Sequence, residues 1–510
     1  MIPNASRSRL ALHRRLKPAV AALETTAALH SPVILVLLLL LIFCFVPLQQ
    51  NADGLLLTIM SLQKLTLFFW EQDRFANLGP LLTAWITDPT TNAYAQLLLR
   101  IICGLLAPLF FTAQIFRRPA SIWRATTIAS LLVAISGGRW LAHEFFIEAS
   151  PYGMSFATAG LAGLILRAPR KIPATTAAFA LLLVAYTLNF GLITIALPLV
   201  GLMALLLPTR ERMRLAILHF AAAAIGQILP AIAAPDFRTP MSTSLTRETL
   251  TNLLRSIAEG TDLIFALATI LPMALAAAII LWKKPGLLRY SLPITAILLA
   301  VAALNITAIA SLRWVAMNGF NLRYVIPAHL LLMSLGGCAL TLAIRVLTRT
   351  TQTRTAAFLA LSVALLLTAQ NRLTRQRNAE RDIIIAAQAP IAQAIAAHAI
   401  RLKLDAIVGS HWEVWPAIFM ATQYRHDAQI QGPPILGITL HGGTMRRQFG
   451  ANFAATGKLR LACVDLGAGA CAATSAQVMR TPTLQITELA PTESLLEGHR
   501  ITFIEITSQR

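Results

Sequence analysis

Pro32-Val33-Ile34-Leu35-Val36-Leu37-Leu38-Leu39-Leu40-Leu41-Ile42-Phe43-Cys44-Phe45-Val46-Pro47-Leu48 carries no charge. A helix rises about 1.5 Å per residue, so the stretch approaches the roughly 30 Å hydrocarbon thickness of a bilayer. It starts too late and runs too long for a cleaved signal peptide. Arg7, Arg9, His13, Arg14, Arg15 and Lys17 precede it. Positive charge stays inside, so the stretch reads as an uncleaved span with a cytoplasmic N-terminus. Residues 49–93 are then a first external loop. Within it, Leu55–Thr66 and Pro80–Ile86 read as short helices lying along the membrane interface.

The rest of the chain has the same character. Of 510 residues, 56% are hydrophobic and only 13% are charged, with a mean hydropathy of +0.66. Such a chain suits a polytopic helical membrane protein and excludes an ordinary soluble enzyme. The net charge of +21 might suggest nucleic acid. Yet Lys and Arg fall in short clusters between apolar runs, as in cytoplasmic loops, and no basic face with interleaved aromatics appears. Nucleic acid is therefore not an expected partner, whereas membrane lipids are. Cys44, Cys103 and Cys338 sit in apolar runs. No Cys/His spacing suits a metal.

Further apolar runs fall at about 94–115, 125–137, 153–166, 215–232, 260–282, 290–311, 325–344 and 355–369. The stretch 173–207 is too long for one span and is read as two, turning at Asn189-Phe190-Gly191. The count is about eleven transmembrane helices, with the C-terminus outside. Arg372, Arg375 and Arg377 oppose that orientation. Cys463 and Cys471 favour it if they form a disulfide, which needs an oxidising compartment; two reduced thiols are the alternative.

Composition changes near residue 370. Ile383–Ile400 reads as an amphipathic helix. Leu404–Val408, Ile435–Leu440, Leu459–Val464, Leu484–Ile486 and Ile501–Ile506 read as strands, with a helix from about Glu413. The expected organisation is a basic N-terminus (1–30), a membrane body (31–370) and a small C-terminal α/β domain (371–510).

Charge is scarce, so its clusters stand out. Phe69-Trp70-Glu71-Gln72-Asp73-Arg74-Phe75 interleaves charge with aromatics just outside the first span. The topology puts three more polar clusters on the same side: Arg139/His143/Glu144/Glu148, Arg313, and Asn318/Asn321/Arg323/Tyr324. Convergence on one face counts for more than any single residue. Each has a plainer reading as well. Asp73 can pair with Arg74, Arg323 can anchor at the interface, and Tyr324 can belong to an aromatic belt.

The pattern resembles the GT-C superfamily of membrane glycosyltransferases, which use polyprenyl-phosphate-linked sugars. In that superfamily the first external loop carries a catalytic Asp or Glu; the matching stretch here is Glu71-Gln72-Asp73-Arg74. Arg323-Tyr324-Val325-Ile326-Pro327 is similar to the loop–helix junctions that supply an arginine near the donor phosphate. The resemblance implies Asp73 as general base, with Arg323, Arg139, Arg313 and Arg74 on the donor phosphate. Glu71, His143, Glu144 and Tyr324 would bind substrate. Ser410-His411-Trp412-Glu413-Val414-Trp415 is similar to Trp-containing turns in terminal domains of such enzymes, which gives Trp412 and Glu413 a part in acceptor binding. A core tryptophan and a first-turn helix acid are the alternatives. Glu-x-Asp stands where metal-dependent oligosaccharyltransferases have Asp-x-Asp, so a divalent metal is left open without support and no cofactor is certain. The implied activity is inverting transfer to a cell-envelope glycan or glycolipid, outside a bacterial inner membrane. A lipid-linked-sugar transporter, or an assembly subunit without chemistry, are the rival classes.

Overall fold

The computed structural model describes residues 30–46, 48–68, 76–136, 142–147, 151–166, 172–233, 243–260, 263–374, 389–439, 446–479, 484–494 and 498–508. Glu71, Asp73, Arg74, Arg139 and Glu148 lie outside that set, as does the basic N-terminus.

All eleven apolar runs fall on helices. Seven are long and apolar enough to cross a bilayer: Pro89–Ile115, Pro119–Ser136, Arg210–Leu229, Leu263–Lys283, Arg289–Ala310, Leu322–Leu347 and Thr351–Thr374. His30–Phe45, Tyr152–Ile165, Pro173–Leu188 and Ile193–Leu206 are shorter apolar helices. The run expected at 94–115 begins earlier and is broken. Pro89–Leu106 follows the N-cap Asp88, and Leu109–Ile115 restarts after Pro108. Proline cannot donate to the preceding turn and crowds it, which sets the break there. Phe110, Phe111, Phe146 and Phe156 are fully buried in the centre of this body.

The C-terminal unit is a five-stranded sheet in the order β2-β1-β3-β5-β4, with strands β1 Ala406–Gly409, β2 Leu436–Thr439, β3 Lys458–Val464, β4 Leu484–Ser494 and β5 Arg500–Ser508. β1 pairs in parallel with β2 and β3, while β5 runs antiparallel to β3 and β4. β1 is buried along its whole length, as the central strand of a parallel set covered by helices must be. Cys463, on β3, is disulfide-bonded to Cys471 in the Ala468–Met479 helix.

One expectation is corrected. The segment read as an interfacial helix over 55–66 is the helix Ala52–Gln63, and its apolar face meets protein instead of lipid. Ala52, Leu55, Leu56, Ile59 and Met60 recur at three- and four-residue spacing and are 0–1% exposed. They share one core with Trp415, Ile418 and Phe419 of the helix His411–Asp427. Each large side chain so buried contributes about 1.5–3 kcal/mol. Polar contacts rim this seam: Gln63 Nε2 donates to Thr422 Oγ1 (3.4 Å), Lys64 Nζ to Gln448 Oε1 (3.2 Å) and Thr90 Oγ1 to Gln423 Oε1 (2.8 Å). The first loop and the C-terminal sheet unit are thus packed together.

Candidate functional site

The seam ends at a carboxylate. Asn51 caps the 52–63 helix, its side chain accepting from the Gly54 N–H at 3.2 Å. Capping fixes the first turn, and Asp53 lies in that turn, where the helix dipole favours an acid. Asp53 Oδ1 is 2.9 Å from His411 Nε2, and Oδ2 is 4.0 Å from Arg323 Nη1. The first contact is a hydrogen bond. The second is a loose ion pair, too long for one. The Asp53 side chain keeps 38% of its surface accessible, and that of Arg323 26%.

Arg323 sits on the single turn Leu322–Val325, which Asn321 caps by accepting from the Arg323 N–H at 3.0 Å. Gly319 and Phe320 just before it have φ of +65° and +53°. Glycine takes that conformation freely; a phenylalanine does not, and strain of this kind collects beside functional groups. Arg323 Nη2 donates to Tyr324 Oη at 3.0 Å. The guanidinium also lies 5.1 Å from the Tyr324 ring centroid. Tyr324 is buried, at 3% exposure.

A third wall is the π-turn His143–Ile147. Glu144, half-buried there, stands in electrostatic contact with both Asp53 and Arg323. His143 Nε2 meets the Gln49 carbonyl at 2.8 Å, tying this turn to the loop in front of Asp53. Arg100 braces the same two segments from below. It is 4% exposed, and it donates from Nη1 to the Ile147 carbonyl and from Nη2 to Gln50 Oε1, each at 2.6 Å.

The two carboxyls are driven apart. Burial pushes Asp53 up, but the His411 hydrogen bond, the attraction of that imidazole and the Arg323 guanidinium together hold it below the ordinary carboxylate range. Burial pushes Glu144 up, Arg323 opposes this and Asp53 adds to it, and the net shift is upward. Opposed shifts of two neighbouring acids are a mark of acid–base sites.

Of the residues expected from sequence, the structure brings Arg323, Tyr324 and Glu144 around Asp53, while His143 is tied to the loop before it through the Gln49 carbonyl. Trp412 stands beside them, 46% exposed, its ring edge-on to His411 at 5.3 Å between centroids. Glu413 is held in the first turn of its helix by the Ser410 hydroxyl. Arg313 is exposed at the start of the helix Arg313–Met317 and, among the described residues, joins no ion pair or hydrogen bond of the cluster. The sequence reading marks neither Asp53 nor Arg100, and His411 appears there only within the Ser410–Trp415 stretch, without a role of its own. Arg100 had a signal, a lone charge inside an apolar run. Asp53 had only its place directly after the first span. A separate group, Asp88, His426 and Asp427, has ligand atoms within 4.8 Å of one another; Asp88 is already engaged as an N-cap to Thr91 at 2.7 Å.

No family model and no curated protein sequence matches the chain. Among solved structures it is similar to ArnT from Cupriavidus metallidurans in the apo state, at 12% identity and a TM-score of 0.48, over 92% of this chain and 97% of that one. It is also similar to the Archaeoglobus fulgidus oligosaccharyltransferase, at 14% identity and a TM-score of 0.41, over 78% of this chain and 61% of that one. Likenesses at this level decide nothing about chemistry, and the site must be read from its own residues.

Proposed function

We propose that this chain is a GT-C-type membrane glycosyltransferase, with Asp53 as its general base. It transfers a sugar from a polyprenyl-phosphate donor to a cell-envelope glycan or glycolipid acceptor, on the outer face of a bacterial inner membrane. One observation carries the reading. An acid held below its ordinary range faces an arginine that is 26% accessible, at 4.0 Å, beside the start of a long apolar helix. The ionised Asp53 takes the proton of the acceptor hydroxyl as its oxygen bonds to the anomeric carbon. The bond from that carbon to the phosphate oxygen breaks, and its electron pair leaves with the polyprenyl phosphate. Arg323 meets the charge that builds there through its planar fork of donors. Attack from the face opposite the phosphate inverts the anomeric centre. The exposed Trp412 offers a ring face to an acceptor sugar. The Cys463–Cys471 disulfide supports an external, oxidising setting for the C-terminal unit.

Asp73, the earlier candidate for the base, is displaced by Asp53 in this proposal; Asp73 itself lies outside the described residues. The test is transfer from synthetic undecaprenyl-phosphate sugars by Asp53→Asn and Asp73→Asn proteins. Asp53→Asn should lose about 10²–10⁴-fold in rate while still folding and binding undecaprenyl phosphate. An active Asp53→Asn together with an inactive Asp73→Asn moves the base back to Asp73.

The transporter reading has one feature in its favour, the polar pairs within the helical body. Tyr186 Oη lies 2.8 Å from His219 Nδ1, and Ser136 Oγ lies 3.1 Å from His329 Nε2. Phe110 packs edge-on to His219 and Phe265 stacks on His329, so each pair is enclosed by aromatic rings. Movement of a labelled lipid-linked sugar across vesicles carrying the Asp53→Asn protein would favour transport.

A further inference from the structure

The hydrogen-bond partner of the Asp53 carboxylate comes from the C-terminal unit. His411 follows the cap residue Ser410 at the start of the 411–427 helix, and its side chain is 14% accessible. Its two ring nitrogens have different partners. Nδ1 lies 3.0 Å from Trp415 Nε1, one helical turn on, and Nε2 lies 2.9 Å from Asp53 Oδ1. An indole N–H only donates. Nδ1 must therefore accept, and the ring proton must be on Nε2, pointing at Asp53. Trp415 cannot turn away. It is fully buried, and its ring packs so closely on Gly437 of β2 that a Cβ there would sit 2.4 Å from it.

We propose that the C-terminal unit completes the site: Trp415 fixes the tautomer of His411, and His411 is the positioning residue that orients the Asp53 carboxylate. This rests on Asp53 being the base. With Oδ1 held by the Nε2–H, the Oδ2 oxygen is the one left on the Arg323 side, free to take the acceptor proton. In this relay Trp415 and His411 gain and lose no proton in the step; only Asp53 does. His411 directs the lone pairs of Asp53, and the charge on Asp53 is shared with a fixed donor instead of with mobile water. The groups facing Asp53 are then His411 from the 411–427 helix, Arg323 and Tyr324 from the 322–325 turn, and Glu144 from the π-turn. Of these, His411 alone makes a hydrogen bond to Asp53 within 3.5 Å.

The relay is tested in the full-length protein in nanodiscs, with ¹⁵N-labelled histidine and the His411 signals assigned by their loss in His411→Gln. The expected spectrum shows a directly bonded proton on Nε2 and none on Nδ1 at neutral pH, with a mixture of tautomers in Trp415→Phe. A wild-type Nδ1 that carries the proton overturns the relay. Transfer from synthetic undecaprenyl-phosphate sugars supplies the second reading. His411→Ala should lower kcat about 10–100-fold with the donor KM little changed, the cost of a base out of line. It should also move the acid limb of the kcat profile to higher pH, because a hydrogen bond to the ionised carboxylate is gone. His411→Gln, whose side-chain amide donates from a similar position, should recover most of both. A His411→Ala protein with unchanged kcat and pH profile, beside an inactive Asp53→Asn, overturns the positioning role and leaves the base assignment standing. An active Asp53→Asn overturns the base assignment, and the catalytic meaning of the relay with it.

Discussion

Asp53 and Glu144 share one cluster, yet protonation should affect them in opposite ways. Asp53 is held below its ordinary value, so its contacts stabilise the fold fully above the unfolded carboxyl pKa of about 3.9. That contribution is lost as pH falls through the lower folded value. Thermal melts should therefore rank Asp53→Asn below wild type at neutral pH, with the gap closing in strong acid. Glu144 is held above its ordinary value, so its ionisation opposes folding as pH rises through that value. Glu144→Gln should melt higher than wild type at alkaline pH and alike in acid. Arg100→Leu strands Gln50 Oε1 and the Ile147 carbonyl, at about 1–3 kcal/mol for each buried group left unpaired. Chemical denaturation in detergent should show a loss of that size. These residues were unequally legible. Arg100 is readable as a charge inside an apolar run, and Arg323 as a charge opening one. Asp53 resembles any first-turn helix acid, while Asp73 drew notice through its charged and aromatic neighbours. The neighbours that mark Asp53 are distant in sequence, so local charge density does not reveal them; Asp73 lies outside the described residues.

The helices and strands were the more legible level, because period and charge alone determine them. Apolar runs become helices wherever backbone groups have no other partner, and four of the five strands in the C-terminal unit fall within two residues of their apolar runs, while β4 continues from Ile486 to Ser494. What period could not say is which surface an amphipathic helix covers. The 52–63 helix has the same stripe whether it lies on lipid or on protein, and the choice is made by a helix some 350 residues away. Its Gly54 reports the tight fit. A Cβ there would lie 2.6 Å from Gln50 Oε1, the atom that Arg100 holds. Gly54→Ala should thus destabilise by about 1–3 kcal/mol despite the better helix propensity of alanine, and Gln50→Ala should relieve most of that loss. Replacing Cys463 and Cys471 together by serine should cost the sheet unit about 2–4 kcal/mol, measurable as faster proteolysis of that unit.

At the scale of the whole molecule, the site lies where the helical body, the first loop and the sheet unit meet. Asp53 and Arg323 come from the body and its loop, and His411 from the sheet unit, so none of these parts holds the full set alone. The bond between Asp53 and His411 spans 358 positions of sequence. A ribosome adds about 5–20 residues per second, so the carboxylate waits roughly 20–70 s for its partner to be made. A chain cut short before residue 411 lacks the His411 hydrogen bond to Asp53. On the proposed reading, activity begins only once the sheet unit has folded against the first loop.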